Sequence, residues 1–171
     1  MIEWLVGSVL SETPEDTECI VIPAPCNGDF SDGIACEMWC RGSRRNKKNQ
    51  SEISRLYEGP MMDFRSAHVE EGNVHPIQFW GDGPPWILFA ACQHSLDSEQ
   101  NPETLDNLLQ GIEDFCASQS IKRVSIPTLS SNSRKSAKAI AVKFGPSELS
   151  VRAFITDELM RELASKVKRH K

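Results

Sequence analysis

Hydrophobic positions along the chain follow two patterns that alternate for most of its length. Short apolar runs rich in branched side chains predict buried strands. These runs cover residues 2–6, 19–22, 77–80, 86–92, 123–126 and 149–155. Elsewhere, apolar residues recur every three or four positions, which predicts amphipathic helices. The helical segments are 31–42, 102–116, 133–144 and the stretch after Thr156, which we expect to be the N-cap of the last helix.

The segment after Asn101 gives the clearest helical signal. Asparagine is a favoured N-cap, and Pro102 suits the first helical position. Leu105, Leu109 and Ile112 then follow at helical spacing and predict one buried face. A helix of this kind needs an apolar sheet surface to pack against.

Strands and helices in alternation predict an α/β fold. We expect a single domain over residues 1–171, with three α/β/α layers and a mixed central sheet that carries helices on both faces. Residues 42–76 fit this pattern least, and we interpret them as an irregular or inserted segment. Because 35 structureless residues would be long for a compact domain, we expect helix within it, near 51–57.

Composition and charge narrow the function classes. The 171 residues carry a formal net charge of −5, which disfavours nucleic acid as a partner. No apolar run reaches the roughly 20 residues that a membrane span needs. The first residues are acidic and unlike a secretion signal, so we expect a cytoplasmic protein whose six cysteines are thiols.

Charge is unevenly distributed along the chain. Residues 1–40 contain no Lys or Arg, whereas residues 41–48 contain five cations. The basic stretch is compatible with a solvated loop and with a contact for a protein partner. Both interpretations stay open at the level of sequence.

Two loops are the best candidates for a ligand site. In parallel sheets, ligands bind beyond the carboxyl ends of the strands. Residues 23–33 and 127–133 each follow a predicted strand there and lead into a helix N-terminus, where backbone N–H groups favour anions. The sequence therefore predicts a phosphate site formed by two loops.

Four short segments, in this order, resemble the macrodomain family of ADP-ribose-binding modules. They are Gly7-Ser8-Val9, Asp32-Gly33-Ile34-Ala35, Asn101-Pro-Glu-Thr-Leu105 and Ser125-Ile-Pro-Thr-Leu129. The second segment is similar to the loop of the branch that contains DNA and glutamate ADP-ribosyl hydrolases. The resemblance implies the macrodomain fold and a crevice for ADP-ribose or a related nucleotide metabolite, with no cofactor and no metal.

The resemblance also implies a set of ligand-binding residues. These are Ser8, Val9, Cys26, Asn27, Gly28, Phe30, Ser31, Gly33, Ile34, Leu129, Ser130, Ser131, Asn132 and Ser133. If the protein hydrolyses ADP-ribosyl bonds, Asp29 or Asp32 would be the base that activates water, and Asn27 would orient the ribose. For Phe30, packing in the core is the alternative to stacking on the ligand.

Several positions depart from the family pattern and leave enzymatic activity open. Ser8 stands where the family has an adenine-binding aspartate, and Gln93 where the glutamate-hydrolase branch has a lysine. Asp29 and Asp32 add charge near the expected phosphates, and a carboxylate about 4 Å from a phosphate costs roughly 1–4 kcal/mol. The alternative function is therefore a macrodomain fold that has lost nucleotide binding and acts as a protein-interaction module.

Other reactive side chains have weaker patterns. Cys36 and Cys40 share a helical face, but no further spacing completes a zinc site. Cys26, near a helix N-terminus, suggests a thiol of lowered pKa that could act as a nucleophile. His75 and His94 flank the strand region. Two interpretations stay open for them, a position at the crevice and simple exposure to solvent.

Overall fold

The computed structural model describes residues 1–44, 50–79 and 84–169. Within these ranges, the side chains of residues 39–56 are not described. Within these residues the chain forms six strands and five helices. The strands are β1 (Ile2–Val6), β2 (Cys19–Pro25), β3 (Val74–Gln78), β4 (Trp86–Gln93), β5 (Arg123–Ile126) and β6 (Ser150–Ile155). The helices are α1 (Gly33–Arg44), α2 (Gln50–Ser66), α3 (Thr104–Ser118), α4 (Ser133–Phe144) and α5 (Asp157–Arg169).

The six strands form one sheet in the order β1-β6-β5-β2-β4-β3. β3 pairs antiparallel with β4, and the other neighbouring strands pair in parallel. The sheet is therefore mixed, as predicted. Because five strands run the same way, their carboxyl ends lie along one edge of the sheet.

Helices cover both faces of the sheet and complete three layers. Buried side chains of α3 and α4 pack on one face, against residues such as Val21 and Leu88. Buried side chains of α1 and α2 pack on the other face, against residues such as Ile22 and Phe89. Leu159 of α5 lies beside α4 and β1. The predicted α/β/α architecture is confirmed.

Several boundaries differ from the prediction. β2 continues through Pro25 instead of ending at residue 22. On its β5 side, β2 is paired only at Cys19 and Ile20. Beyond these residues, a proline that lacks an N–H interrupts no hydrogen bonds to β5. The strand predicted at 77–80 lies at Val74–Gln78, on the edge of the sheet. α3 begins at Thr104, and the Asn101 side chain bonds to Glu71 instead of capping the helix.

The segment 42–76 contains more regular structure than the sequence pattern indicated. α2 extends over 17 residues there and buries Met61 and Phe64 completely. Thr156 does cap α5, since its hydroxyl accepts the N–H of Leu159 at 3.2 Å. Across the described part of the chain, the structure has no helix with the length and apolar character of a membrane span.

Candidate functional site

The loop after β2 is tied to the end of β4. The N–H of Cys26 donates to the Gln93 carbonyl at 2.8 Å, and that of Asn27 donates to the His94 carbonyl at 3.2 Å. The chain then turns at Gly28, whose φ of +68° lies in the left-handed region that favours glycine. The direction of this loop is therefore set by backbone hydrogen bonds.

Arg65 of α2 holds the same loop from the other side. Its Nε and Nη2 donate to the Gly28 carbonyl at 3.1 and 2.7 Å, and its guanidinium lies 5.2 Å from the centre of the Phe30 ring. A Cβ on Gly28 would lie 2.7 Å from Arg65 Cγ, so the close approach also requires glycine. This contact could not be predicted from the sequence pattern, because Arg65 lies in the segment 42–76, whose pattern is the least regular.

Polar side chains of this first loop accept hydrogen bonds from its own backbone. Asn27 Oδ1 accepts the N–H of Asp29 at 3.0 Å, and Asp29 Oδ1 accepts that of Ser31 at 3.1 Å. Asp32 Oδ1 accepts the N–H of Gly33, the first residue of α1, at 2.7 Å. An anion that used these N–H groups would have to displace the side chains.

Asp29 is exposed, and its environment favours the charged form. The Ser31 hydroxyl and backbone N–H lower the pKa of Asp29, and the Arg65 charge adds to the effect. A carboxylate with a lowered pKa is a weak base. Asp29 is therefore suited to ordering the loop more than to abstracting a proton.

The second loop, residues 127–132, is fixed by side chains from two other elements. The Ser136 hydroxyl of α4 accepts the N–H of Leu129 at 3.0 Å. Gln100 Nε2 donates to the carbonyls of Cys92 and Leu129 at 3.0 and 2.8 Å, which joins the end of β4 to this loop. Asn132 caps α4 by accepting the N–H of Lys135. The sequence pattern predicted a turn at Asn132, but it did not predict that Gln100 would join β4 to this loop.

Two cavities adjoin along the carboxyl edge of the sheet. The first, of about 230 Å³, lies between the two loops, and the second, of about 460 Å³, lies at the ends of β1 and β6. Ile34 and Thr128 line both of them. We refer to these two adjoining cavities together as the crevice, and the volume of the second lies in the range of small-molecule sites.

The predicted site residues divide between the crevice and its supporting loops. The first cavity is lined by Asp32, Gly33, Ile34, Leu129, Ser130 and Ser131, and the second by Ser8, Val9 and Ile34. Gln93, Gln100 and Glu37 also line the crevice and were not among the predicted ligand residues. Cys26, Asn27, Gly28, Asp29, Phe30, Ser31, Asn132 and Ser133 belong to the same loops or helix starts but do not line either cavity in the described structure.

Phe30 is part of the hydrophobic core. It is 8% exposed, and its ring centre lies 6.3 Å from that of Phe64. Stacking of Phe30 on a ligand would require the loop to leave Arg65. The packing alternative raised from the sequence accounts for this residue.

The crevice is acidic. Asp32 lines its first cavity, and Glu37 and Asp157 line the second, whereas no Lys or Arg is among the described lining residues of either. A phosphate bound here would rely on backbone N–H groups and helix N-termini for its favourable contacts. Asp32 would oppose it.

Among the residues whose side chains are described, the other reactive groups do not form a second site; Cys40 lies outside them. Burial and the nearby Glu71 raise the pKa of Cys26, whereas the nucleophile hypothesis needed a lowered pKa. His75 is bonded to Asp63 at 3.0 Å, on the α2 side of β3. His94 contributes its backbone carbonyl to the first loop. Among the described residues, no group of His, Cys, Asp or Glu could hold a metal.

A larger cavity lies elsewhere. It occupies about 540 Å³ between α3 and α4, and its lining includes Lys135, Lys138, Lys143 and Leu109. It shares no described lining residue with the two cavities of the crevice, and Lys143 is already paired with Glu113 at 3.3 Å. Size alone does not make it the site of chemistry.

Comparison with solved structures identifies the architecture. The macrodomain of Mycobacterium tuberculosis DarG matches with a TM-score of 0.74 at 17% sequence identity, over 92% of this chain and 99% of its own. The Oceanobacillus iheyensis macrodomain with ADP matches with a TM-score of 0.64 at 12% identity, over 98% of this chain and 92% of that one. The chain has the macrodomain fold.

A third structure shares the macrodomain fold within a longer chain. Thermosipho africanus DarTG in complex with ADP-ribose matches with a TM-score of 0.65 at 11% identity, over 83% of this chain and 39% of that one. No family model matches this sequence, and no curated protein matches it. The expectation of a macrodomain fold is confirmed, and similarity to the hydrolase branch stays a prediction.

Proposed function

We propose that this macrodomain fold binds ADP-ribose or a related nucleotide in the crevice at the carboxyl edge of its sheet. The observation that carries the proposal is that two cavities adjoin at this edge, with Ile34 and Thr128 lining both. One cavity lies beside the N-termini of α1 and α4, which suit phosphates. The other has mostly apolar walls, which suit a base.

Ligands recorded in structures of the same fold support the proposal. The Oceanobacillus iheyensis macrodomain was solved with ADP, and Thermosipho africanus DarTG with ADP-ribose. Within the crevice, the phosphates would contact Ser130, Ser131 and the start of α1. The nucleobase would contact Ser8 and Val9. Residues of the first loop that do not line the cavity would hold the shape of the site.

Hydrolysis of an ADP-ribosyl bond is a further property to test at this site. Asp32 is the better placed of the two predicted bases, because it lines the cavity whereas Asp29 is bonded to Ser31. The rival function, a protein-interaction module, relied on the basic segment 41–48, which has no described side chains. A cytoplasmic location stays a prediction from the sequence.

Thermal unfolding with ADP-ribose, ADP, AMP, NAD and a buffer blank tests the proposal, followed by calorimetry. At 100 times its dissociation constant, a ligand adds about 2.7 kcal/mol to the free energy of unfolding. For a domain of this size, each kcal/mol raises the melting temperature by about 2–4 °C. We therefore expect a total rise of roughly 5–10 °C at this ligand concentration. The absence of any shift would favour the protein-interaction function.

A blocking variant locates the binding site. Thr128→Trp places an indole where the two cavities meet and should abolish the shift. Gln119→Trp adds the same group at the exposed end of α3 and should leave it intact. Equal binding by both variants would mean that the ligand lies elsewhere.

A further inference from the structure

A groove between α3 and α4 combines apolar side chains with lysines. The cavity of about 540 Å³ there is lined by Leu105 and Leu109 of α3, which are almost fully buried, and by Val142 of α4, which is 72% exposed. We call this surface the α3–α4 groove. None of its described lining residues lines the crevice, so the two surfaces can be tested separately.

One face of α4 lies along the groove. Lys135, Lys138 and Val142 line it at positions i, i+3 and i+7, which places them on the same side of the helix. Ala137 and Ile140, at other positions of α4, are buried. The groove side of α4 is therefore left to solvent within the described part of the chain.

The lysines of this face are not neutralised by the domain itself. Lys135 and Lys138 are exposed, and their side chains form no ion pair or hydrogen bond with any described residue. Lys143 differs, since it is paired with Glu113 at 3.3 Å. Asp106 is the one carboxylate among the described lining residues. α4 contains four cations and no Asp or Glu, although the whole chain has a net charge of −5.

The spacing of these side chains favours an extended occupant over a single small anion. Lys135 and Val142 are seven residues apart, which is about 10 Å along a helix at roughly 1.5 Å per residue. An occupant that meets both the charges and the apolar side chain must span that length with acidic and apolar groups. Two neighbouring helices also leave a groove into which a third helix can lay its apolar face.

A second copy of the chain is a poor occupant on grounds of charge. Among the described residues, Val167 of α5 is the other large hydrophobic residue that is exposed on a helix. Lys166 and Lys168 flank it, so docking α5 into the groove would place lysines against lysines. A complementary helix must carry carboxylates beside its apolar face.

We propose that the α3–α4 groove binds an acidic amphipathic helix of a partner protein. Carboxylates of the partner pair with Lys135 and Lys138, and its apolar side chains cover Val142 and the floor of the groove. This inference goes beyond nucleotide binding and does not depend on it.

The test uses a designed peptide and the whole chain. The probe is a fluorescein-labelled peptide with three repeats of Leu-Glu-Glu-Leu-Leu-Glu-Ala, whose leucines fall on one helical face. The control peptide has Gln in place of every Glu. Fluorescence anisotropy should show saturable binding of the acidic peptide, an affinity at least about tenfold lower for the Gln peptide, and weaker binding at higher salt.

Variants of exposed residues locate the contact. Lys135→Glu/Lys138→Glu should lower the affinity for the acidic peptide at least about tenfold, because two attractive charges become repulsive. Val142→Ser should lower it about three- to tenfold through lost apolar contact. Lys166→Glu/Lys168→Glu makes the same change of charge at the exposed end of α5 and should leave the affinity unchanged. Thermal unfolding verifies that each variant is folded.

Several results would overturn the inference. One is equal affinity of the two peptides for the wild-type chain, or no saturable binding of the acidic one. Another is an equal loss of affinity in both double-lysine variants, which would indicate non-specific attraction. Displacement of the peptide by ADP-ribose would place the peptide in the crevice, and self-association of the wild-type chain that Val142→Ser abolishes in sedimentation would make a second copy the occupant. A chain that binds the peptide but not ADP-ribose would overturn the proposed function alone.

Discussion

Arg65 and Gly28 join α2 to the loop of the candidate site. Two nitrogens of the Arg65 guanidinium donate to one carbonyl oxygen, at 3.1 and 2.7 Å, across 37 positions of sequence. A charged donor on a loop carbonyl restrains the loop more than neutral donors would. The shape of the first loop therefore depends on a helix of which no described side chain lines the crevice.

Replacing Arg65 should loosen this loop. We expect Arg65→Ala to lower the free energy of unfolding by about 1–2 kcal/mol, because a paired carbonyl loses a charged donor at a partly exposed position. ADP-ribose binding should weaken as well. Urea unfolding and calorimetry measure the two effects.

The control for stability is Arg161→Ala, which removes an exposed arginine paired with Asp157 one helical turn away. Such pairs contribute only about 0.3–0.5 kcal/mol. If the two alanine variants had equal stability, the Arg65 contact would not order the loop.

Gly33 combines a positive φ with open space. Its φ is +72°, and no atom lies within 4 Å of the position that a Cβ would take. Gly33→Ala should therefore cost about 1–2 kcal/mol through backbone strain, without a steric clash in the ligand-free chain. Its methyl group, at the cavity lining, should also weaken phosphate ligands in calorimetry.

Gly59 provides the matched control for this substitution. It lies within α2, also with open space around it, and has no positive φ. Gly59→Ala should change the stability little, because the better helix propensity of alanine is offset by crowding of its Cβ against the ring of Pro60, the next residue. A larger loss of stability for Gly33→Ala in urea unfolding is the expected result, and equal losses would contradict the strain argument.

Asp32 should weaken the binding of phosphates. Asp32→Asn keeps an oxygen that can accept the Gly33 N–H but removes the charge, so affinity for ADP-ribose should rise about fivefold, the equivalent of roughly 1 kcal/mol. The gain should shrink as salt screens the charge. Calorimetry at low and high salt measures both effects.

Asp114→Asn, an exposed change on α3, is the charge-matched control and should leave affinity unaltered. A hydrolysis assay on an ADP-ribosylated substrate distinguishes a second role for Asp32. Loss of turnover without the rise in affinity would identify Asp32 as a base and contradict the repulsion argument.

Acid should weaken the contact between Asp16 and Arg152. The Arg152 guanidinium donates to Asp16 Oδ2 at 3.0 Å, and this hydrogen bond lowers the pKa of Asp16. A lowered folded-state pKa stabilises the fold above the ordinary carboxylate pKa of about 4, and the contribution disappears as pH falls through the lowered value. Asp16→Asn should therefore flatten the stability profile below about pH 4 in urea unfolding. An unchanged acid limb would mean that other carboxylates control it.

The sequence pattern predicted the layers of the fold because each layer has its own periodicity. α3 buries Leu105, Leu108 and Ile112 at helical spacing, and β4 is a continuous apolar run between two strands. Such patterns depend only on residues that are close in sequence, so they can be recognised without knowledge of the tertiary structure. The loops that follow β2 and β5 were predicted for the same reason, since they interrupt these patterns.

Contacts between distant segments could not be predicted in this way. Ser8 meets Glu37 across 29 positions, and Gln100 meets the Leu129 carbonyl across 29 as well. Nothing around Glu37 or Gln100 distinguishes them from ordinary surface residues in a sequence. Asn101 shows the converse, because a strong local signal for an N-cap was overridden by the tertiary contact with Glu71.

The pairing of β1 with β6 has a consequence for the synthesis of the chain. Ile2 lies opposite Val151 and Val6 opposite Ile155, so β1 pairs with the strand that follows it latest among those described. At roughly 5–20 residues per second, β1 waits for its neighbour on the order of ten seconds on the ribosome. Folding that begins at the β2–β4 pair would leave β1 as the last strand to dock, and until then the edge of β6 that β1 later covers is the surface most exposed to association with other nascent chains.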